Sequence, residues 1–392
     1  MASTISPLLL CSGVKQVERP LIGVMAHVHC KSDHFDGRQG PALRKYLETA
    51  RQEGVSACVF DPEDMDAQRN RVRGYVLKTG RDSEQGGVEK RDLPLPRVVY
   101  DQILSRKYEN NPEVGSTLDH LRKHCVVFND GYFDKWQVHE WLTAQPSLRD
   151  HLPKTWLLRN ARTFNDFLNS HRVVFVKPIH GSLGVGIIRA SRVADGWKAV
   201  LKPKNGPLMA FIARSPDDLF DHFRRRLSGK RCIVQEGLDL IVWNGRPVDV
   251  RAIVQKDRNR RWRRTKLYAR VAARGEFVSN LTTGGEAFPL SIIGEADQRL
   301  NVAAVRREII HLVSLIPETV EGESGRLLGE LGVDLGIDAD GRVYVIEVNS
   351  KPWKTPVTTR GSQTLVDLSF VRPILFAREL AHNSDARREP RS

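Results

Sequence analysis

The chain has 392 residues, 40% of them hydrophobic and 28% charged, and a formal net charge of +14 from 61 Lys and Arg against 47 Asp and Glu. That length exceeds one ordinary core and suits two domains, and no run approaches the roughly 20 apolar residues of a membrane-spanning helix, so a soluble chain is expected. The five cysteines, Cys11, Cys30, Cys58, Cys125 and Cys232, form no CxxC pair and no His/Cys cluster, which argues against a zinc site or a disulfide framework and fits a reducing cytoplasm.

Residues 1–19 read as a weakly ordered leader. An apolar run (Leu21–Val28), a helical pattern (Pro41–Glu53), a second apolar run (Val55–Phe60) and acidic turn residues (Asp61–Asp66) follow. Strand-like pieces lie at Val72–Lys78, Arg97–Tyr100 and Cys125–Asn129, with a helix around Thr117–His124 and a charged, glycine-bearing surface loop at Arg81–Lys90. This alternation predicts an α/β domain with a parallel sheet over residues 20–130. Gly131–Asp150 reads as helix, and from Leu152-Pro153-Lys154-Thr155 the strands lengthen into hairpins. A second domain is therefore expected over 131–381, with subdomains at about 153–238 and 239–381, a last helix at Leu365–Ala381 and a disordered tail at 382–392.

The chemistry begins at Arg172–Pro178, an apolar strand that delivers Lys177 near its end and runs into His180-Gly181-Ser182-Leu183-Gly184-Val185-Gly186. Backbone N–H groups of such a loop can approach phosphate oxygens because no Cβ stands in the way. The next residues, Gly186–Ala190, are short, apolar and β-branched, so the loop joins two antiparallel strands instead of opening a helix as Walker and Rossmann loops do. It reads equally as a nucleotide flap or as an ordinary hairpin with a mobile tip. Near the C-terminus, Leu331–Asp338, a turn at Asp338–Gly341 and Val343–Asn349 form a second predicted hairpin. Strict alternation puts Glu347 and Asn349 on one face and Tyr344, Ile346 and Val348 on the other. An acid and an amide on an apolar strand call for a partner, and magnesium, an oxygen-seeking ion that also bridges phosphates, supplies one. Asp334 is placed to join them from the adjacent strand. Without the ion the two carboxylates repel, so Glu347→Gln is expected to relieve the empty fold. The basic run Arg258–Arg264, with Trp262 inside it, reads either as a solvated hairpin tip or as a patch for an acidic or polyanionic partner on which Trp262 stacks.

In this order, Lys177-Pro178, Gly181–Gly186, Cys232–Gly237, Asp249-Val250-Arg251 and Glu347-Val348-Asn349 resemble ATP-grasp proteins. Phe128-Asn129, Phe133-Asp134-Lys135-Trp136, Leu152–Thr155, Gly332-Val333-Asp334 and Glu347–Pro352 are similar, more narrowly, to the YheC/YheD family of endospore coat-associated proteins. The resemblance implies an α/β N-terminal (pre-ATP-grasp) domain followed by an α+β ATP-grasp fold whose antiparallel sheets sandwich the nucleotide. It implies ATP and magnesium as cofactors and an ADP-forming ligase that joins a carboxylate to an amine, on small-molecule or peptide substrates, through an acyl phosphate. By the same resemblance Lys135 and Lys177 reach the phosphates, and His180, Gly181, Ser182, Gly184 and Gly186 belong to the flap. Gln235, Glu236, Gly237 and Leu238 offer backbone to the adenine edge, with Asp239 near the ribose. Asn280 with Gly284-Gly285 flanks the phosphate site, Arg251 and Arg270 hold the γ-phosphate or acyl phosphate, and Asp334, Glu347 and Asn349 ligate the metal. Two rival readings stay open: a coat or scaffold protein that keeps the fold without turnover, and a polyanion binder using the basic hairpin. The family name adds a spore-associated location to the cytoplasmic expectation.

Overall fold

The computed structural model describes residues 20–79, 87–181, 184–204, 206–227, 229–279, 281 and 284–386. The expected leader, positions 81–86 of the expected loop, and residues 387–392 of the expected tail lie outside that set. Ile22–Met25 and Val98–Asp101 are buried along their whole length, the mark of strands covered on both sheet faces. They pair in parallel with each other, with Ala57–Phe60 and with Val126–Phe128. The sheet is nonetheless mixed, which corrects the purely parallel expectation: Arg71–Leu77 runs antiparallel beside Ala57–Phe60 and carries Met65–Asp66 and Val88–Pro94 as further antiparallel partners. Val88–Lys90, expected in a loop, therefore lie in a strand.

One face of this sheet packs against the helix Gly40–Gln52, whose Leu43, Tyr46 and Leu47 enter the same core as Phe370, Ile374 and Phe376. Those phenylalanines belong to the C-terminal helix Gln363–Ala386. Assigned from sequence to the second domain, that helix closes the N-terminal core, and it continues through residues 382–386 of the expected disordered tail. The other face packs on Pro112–His124 through Val114, Leu118 and Leu121.

A six-stranded antiparallel sheet follows, in the order Thr155–Leu158, Cys232–Glu236, Val173–Pro178, Ile188–Val193, Gly196–Leu201, Met209–Ala213. The helices Ala161–Ser170 and Pro216–Arg226 cover one face through Phe164, Phe167, Leu219 and Phe223. Val174 and Val176 point into that core, so the period of two sends Phe175 and Lys177 to the opposite, uncovered face. The third sheet holds Glu286–Phe288, Trp262–Val271, Arg246–Lys256, Glu330–Ile337 and Val343–Asn349, with Val242–Trp243 beside Arg246–Lys256. The long helix Val302–Ser324 buries Ile309, Leu312 and Ile316 against Val250, Ala252, Leu331, Val333 and Leu335. Asp249, Arg251 and Asp334, at the intervening positions, face the other way.

The segment read as one helix over 131–150 is a turn, the helix Lys135–Ala144 and a 3₁₀ stretch Pro146–His151. Asp134 caps that helix by accepting from the N–H groups of Trp136 and Gln137. The basic hairpin turns earlier than expected, because strand begins again at Trp262. Asp257 accepts from Asn259 N, Arg261 N and Arg263 Nε, and the Trp262 indole donates to Glu321. Trp262 is thus committed within the fold and is not the exposed stacking ring expected of a polyanion patch.

Candidate functional site

The uncovered faces of the second and third sheets enclose a cavity of about 330 Å³, which extends to the N-terminal sheet. Lys135, Lys177, Gly181, Gln235, Arg251, Asp334, Glu347 and Asn349 all line it. These residues come from separated stretches of chain and from both antiparallel sheets, and several touch. Lys135 Nζ donates to Glu347 Oε1 at 2.8 Å and to the Gly181 carbonyl at 2.8 Å, tying the start of the flap to the strand Val343–Asn349. Lys177 Nζ donates to Gln235 Oε1, and Gln235 Nε2 donates to Thr155 Oγ1 at 2.9 Å.

The electrostatics follow from burial. Enclosure pushes the Lys177 ammonium down to about 8, with Lys135 adding to the shift and Glu347 opposing it. Burial acts to raise the Glu347 carboxyl, but the ammonium groups of Lys135 and Lys177 outweigh it and leave it below the ordinary carboxylate range. Burial dominates at Asp334 and raises it, against the pull of Arg251 and Arg270.

Asp334 lies opposite Glu347 in the strand register, and Asn349 opposite Gly332. The register shifts between Asp334 and Leu335, so that Ile346 is an extra residue on its strand. Val343, Val345 and Val348 enter the core, whereas Ile346 Cδ1 sits 3.0 Å from the place a Cβ on Gly336 would occupy. Tyr344, paired with Gly336, and Ile346 therefore share the cavity side with Glu347, contrary to strict alternation. A bulge re-aims side chains in this way.

Oxygen donors on one face suit a hard cation, and the structure adds an observation. Asp334 Oδ1 lies 2.6 Å from Arg251 Nε and 3.1 Å from Arg270, within ion-pair range. It accepts no aligned hydrogen bond and is a buried, unsatisfied acceptor among the described residues. No group of three His, Cys, Asp or Glu suited to a metal occurs among the described residues, because the third donor of this set is the amide of Asn349. Two carboxylates and an amide fit magnesium as a partial cage that phosphate oxygens complete.

Other expected site residues are placed differently. Arg270 is 4% exposed and makes a bidentate pair with Asp249 at 2.7 Å on both arms, with Ser279 also donating to Asp249. It does not line the cavity, so it supports Asp334 from behind. The N–H of Glu236 donates to Lys154 O at 2.9 Å and that of Gly237 to Val173 O at 2.8 Å. Those donors are spent in the sheet, and Glu236, Gly237, Leu238 and Asp239 do not line the cavity. His180 is exposed and accepts from Arg106 Nη1 through Nδ1 at 3.0 Å. Gly184 and Gly186 have φ of +74° and +77°, and Gly186 N donates to Lys202 O. A Cβ on Gly184 would meet Val278 at 3.3 Å. Ser182 and Asn280 lie outside the described residues; Gly284 has φ of +89°.

Sequence reasoning missed Arg106 and Arg38, which line the cavity from the N-terminal side, and gave Asp249, quoted within a motif, no role of its own. Arg106 follows the parallel strand Val98–Asp101, and the C-terminal ends of parallel strands are where open α/β sheets place ligands. That signal was available. The motif pairs Phe128-Asn129 and Ser350-Lys351 prove to be a dock beside the site. Asn129 donates to the carbonyls of Glu330 and Ser350 and accepts from Gly329 N and Glu330 N. Lys351 donates to Asp101 and Glu109, both at 2.6 Å, and Lys354 donates to Tyr100 and Glu330.

A family model described as YheC/D like ATP-grasp matches residues 124–380. The endospore coat-associated protein YheD of Bacillus subtilis is 27% identical over 352 residues, covering 86% of this chain and 73% of its own length. YheC of the same organism is 20% identical over 307 residues, covering 78% and 82%. Among solved structures, D-alanyl-alanine synthetase A from Vibrio cholerae aligns with a TM-score of 0.53 at 13% identity, over 93% of this chain and 98% of that one. VanG D-Ala:D-Ser ligase from Enterococcus faecalis aligns at 0.53 and 10%, over 93% and 100%. D-cycloserine synthetase DcsG aligns at 0.50 and 16%, over 92% and 99%. At these identities the likeness to solved structures is one of fold.

Proposed function

The chain belongs to the YheC/D-like ATP-grasp family, and from that premise we propose that it binds Mg-ATP in the cavity between its two antiparallel sheets and spends it to join a carboxylate to an amine. The observation that carries this reading is the convergence of Lys135, Lys177, Asp334 and Glu347 on one cavity, which Gly181, tied to Lys135, also lines. A lysine from each side supplies point charges for phosphate oxygens. Bound magnesium, held by Asp334, Glu347 and Asn349, would neutralise phosphate charge. Arg251, fixed beside Asp334, lines the cavity where the transferred phosphoryl group would lie and would stabilise its charge. The substrate carboxylate oxygen attacks the γ-phosphorus and ADP departs. The amine then attacks the acyl carbon, phosphate leaves, and the amine proton passes to solvent. No side-chain nucleophile takes part, so the protein's contribution is position and charge.

The test is calorimetric titration of ATP with and without magnesium, followed by ADP release against pools of amino acids, peptides and polycarboxylates. Absence of ATP binding, or binding unaltered in Lys177→Met, defeats the nucleotide assignment, and magnesium-independent binding defeats the metal site. Tight Mg-ATP binding with no ADP release under any pool favours instead a scaffold that keeps the site. Its curated relatives are named endospore coat-associated proteins, and we extend a spore-associated location to this chain. Its absence from fractionated spores would overturn that extension.

A further inference from the structure

Charge accounting around the cavity leaves an unexplained surplus at the N-terminal end. Arg251 is paired with Asp334, Lys135 with Glu347, and Lys351 with Asp101 and Glu109. Lys177, the next cation, is taken by the nucleotide in the reading above. Arg38 and Arg106 also line the cavity, and neither has a carboxylate within ion-pair distance among the described residues. Arg106 is nevertheless held firmly: one arm donates to the Phe133 carbonyl at 2.8 Å, the other meets His180, and the guanidinium lies 4.6 Å from the centre of the Tyr132 ring. Burial pushes it down from its ordinary value, since Glu109 and Asp134 act on it only at a distance. Arg38 is exposed and rests over the Trp353 ring at 5.2 Å. A part-buried cation that the fold immobilises but leaves unpaired is costly unless a ligand supplies the anion.

We propose that Arg106 and Arg38 form an anion subsite for a carboxylate that takes no part in the reaction, so that one substrate is a dicarboxylic acid or an acidic amino acid or peptide. The forked guanidinium matches a carboxylate in bidentate fashion, and Tyr132 and Trp353 hold the two forks from behind. His180 bridges Arg106 to the base of the flap, so occupation of the subsite is felt where the flap begins. This inference rests on the ligase reading for which substrate the subsite serves, but its binding chemistry is measurable without turnover.

The probes are pairs matched in carbon number: glutarate against valerate, and L-glutamate against L-norvaline. Each is titrated with and without Mg-ADP into the parent chain, Arg38→Ala, Arg106→Ala and Arg106→Lys. The parent is expected to bind the diacid at least about tenfold more tightly than its partner, a difference of about 1.4 kcal/mol. Arg38→Ala and Arg106→Ala should each remove most of that preference, with Arg106→Lys intermediate and Mg-ADP affinity in Arg38→Ala unchanged within about twofold. Should Arg106→Ala fail to fold, Arg38→Ala decides alone, because its side chain makes one ring contact. Equal or absent binding of the paired probes, or a preference that survives both alanine substitutions, overturns the proposal. Binding of inorganic phosphate or O-phosphoserine in place of the diacids overturns the carboxylate class. Loss of Mg-ADP binding with an intact diacid preference defeats the ligase reading and leaves the subsite standing.

Discussion

Glu347→Gln separates two accounts of the strands proposed to hold the metal. Seen from sequence, two carboxylates on neighbouring strands repel in the absence of a metal, and neutralising one relieves the fold. The structure reverses the sign. Glu347 is opposite Asp334, but its nearer partner is Lys135 at 2.8 Å, with side-chain exposures of 30% and 15%, and Asp334 is offset by Arg251. Neutralising Glu347 therefore strips an anion from between two lysines. Breaking a fully buried pair from one side costs about 3–5 kcal/mol. Here the partial exposure and the glutamine oxygen, which can still accept from Lys135, reduce this to about 1.5–3 kcal/mol, the range of a hydrogen bond to a charged group. For a chain of 392 residues that is a Tm drop of about 2–4 °C. The assay is urea unfolding and calorimetry of the metal-free protein for the parent, Glu347→Gln, Lys135→Met and the double variant. The double variant should cost less than the sum of the singles by about 1 kcal/mol or more, the sign of a direct contact. A Glu347→Gln protein as stable as the parent, or more stable, would refute this reasoning and restore the repulsion account.

Arg270→Met should lower stability by about 3–5 kcal/mol, because it leaves Asp249 and Asp334 buried without their shared cation. Unfolding midpoints near the parent's with lost nucleotide binding would return Arg270 to the phosphate site. Lys266, pushed down to about 8 by burial and by Lys354, binds its proton less tightly folded than unfolded. The parent's stability should therefore rise between about pH 8 and 10.5, where only the unfolded chain keeps the proton. Lys266→Met should gain about 1–2 kcal/mol at pH 7, after discounting for its partial exposure, and flatten that rise; an unchanged alkaline profile counts against it. Gly184→Val places a side chain at φ +74° beside Val278, a strain of about 1–2 kcal/mol. Its Mg-ATP affinity should fall further than its Tm, and the opposite order would make the loop a structural hairpin alone.

Much of this architecture was legible because period-two patterns are strong where one sheet face is covered. Val174 and Val176 alternate with Lys177, and the lysine faces the cavity as that pattern requires. The flap was legible as a joint between antiparallel strands for the same reason, and Val176 does pair with Ile188. The N-terminal sheet was less so: Arg71–Leu77 and the exposed edge strand Val88–Pro94 carry several charges, and nothing local states that Arg71–Leu77 runs antiparallel to the buried strands. The last helix was seen, but not its destination, because Phe370 and Phe376 are equally apolar against either core. Arg270 looked like a ligand residue since a sequence shows a charge without its partner. Asp249, 21 positions earlier, claims both arms of the guanidinium.

The limit of alternation is clearest at the residue on which the metal reading depends. Val343 and Val345 set a phase in which odd-numbered positions enter the core, and that phase carried on would bury Glu347 among Val333, Leu335 and Ile316. An unpaired carboxylate there would cost several kcal/mol. The extra residue at Ile346 resets the phase, so Val348 takes the core position and Glu347 and Asn349 turn outward together. The following residues hold that reset in place. Ser350 is fixed by Asn129 and Lys351 by Asp101 and Glu109, so the strand cannot slide back by one residue without dragging a buried lysine from its two acids. The N-terminal sheet thus acts on the site at a distance, by pinning the register of a strand that belongs to another core.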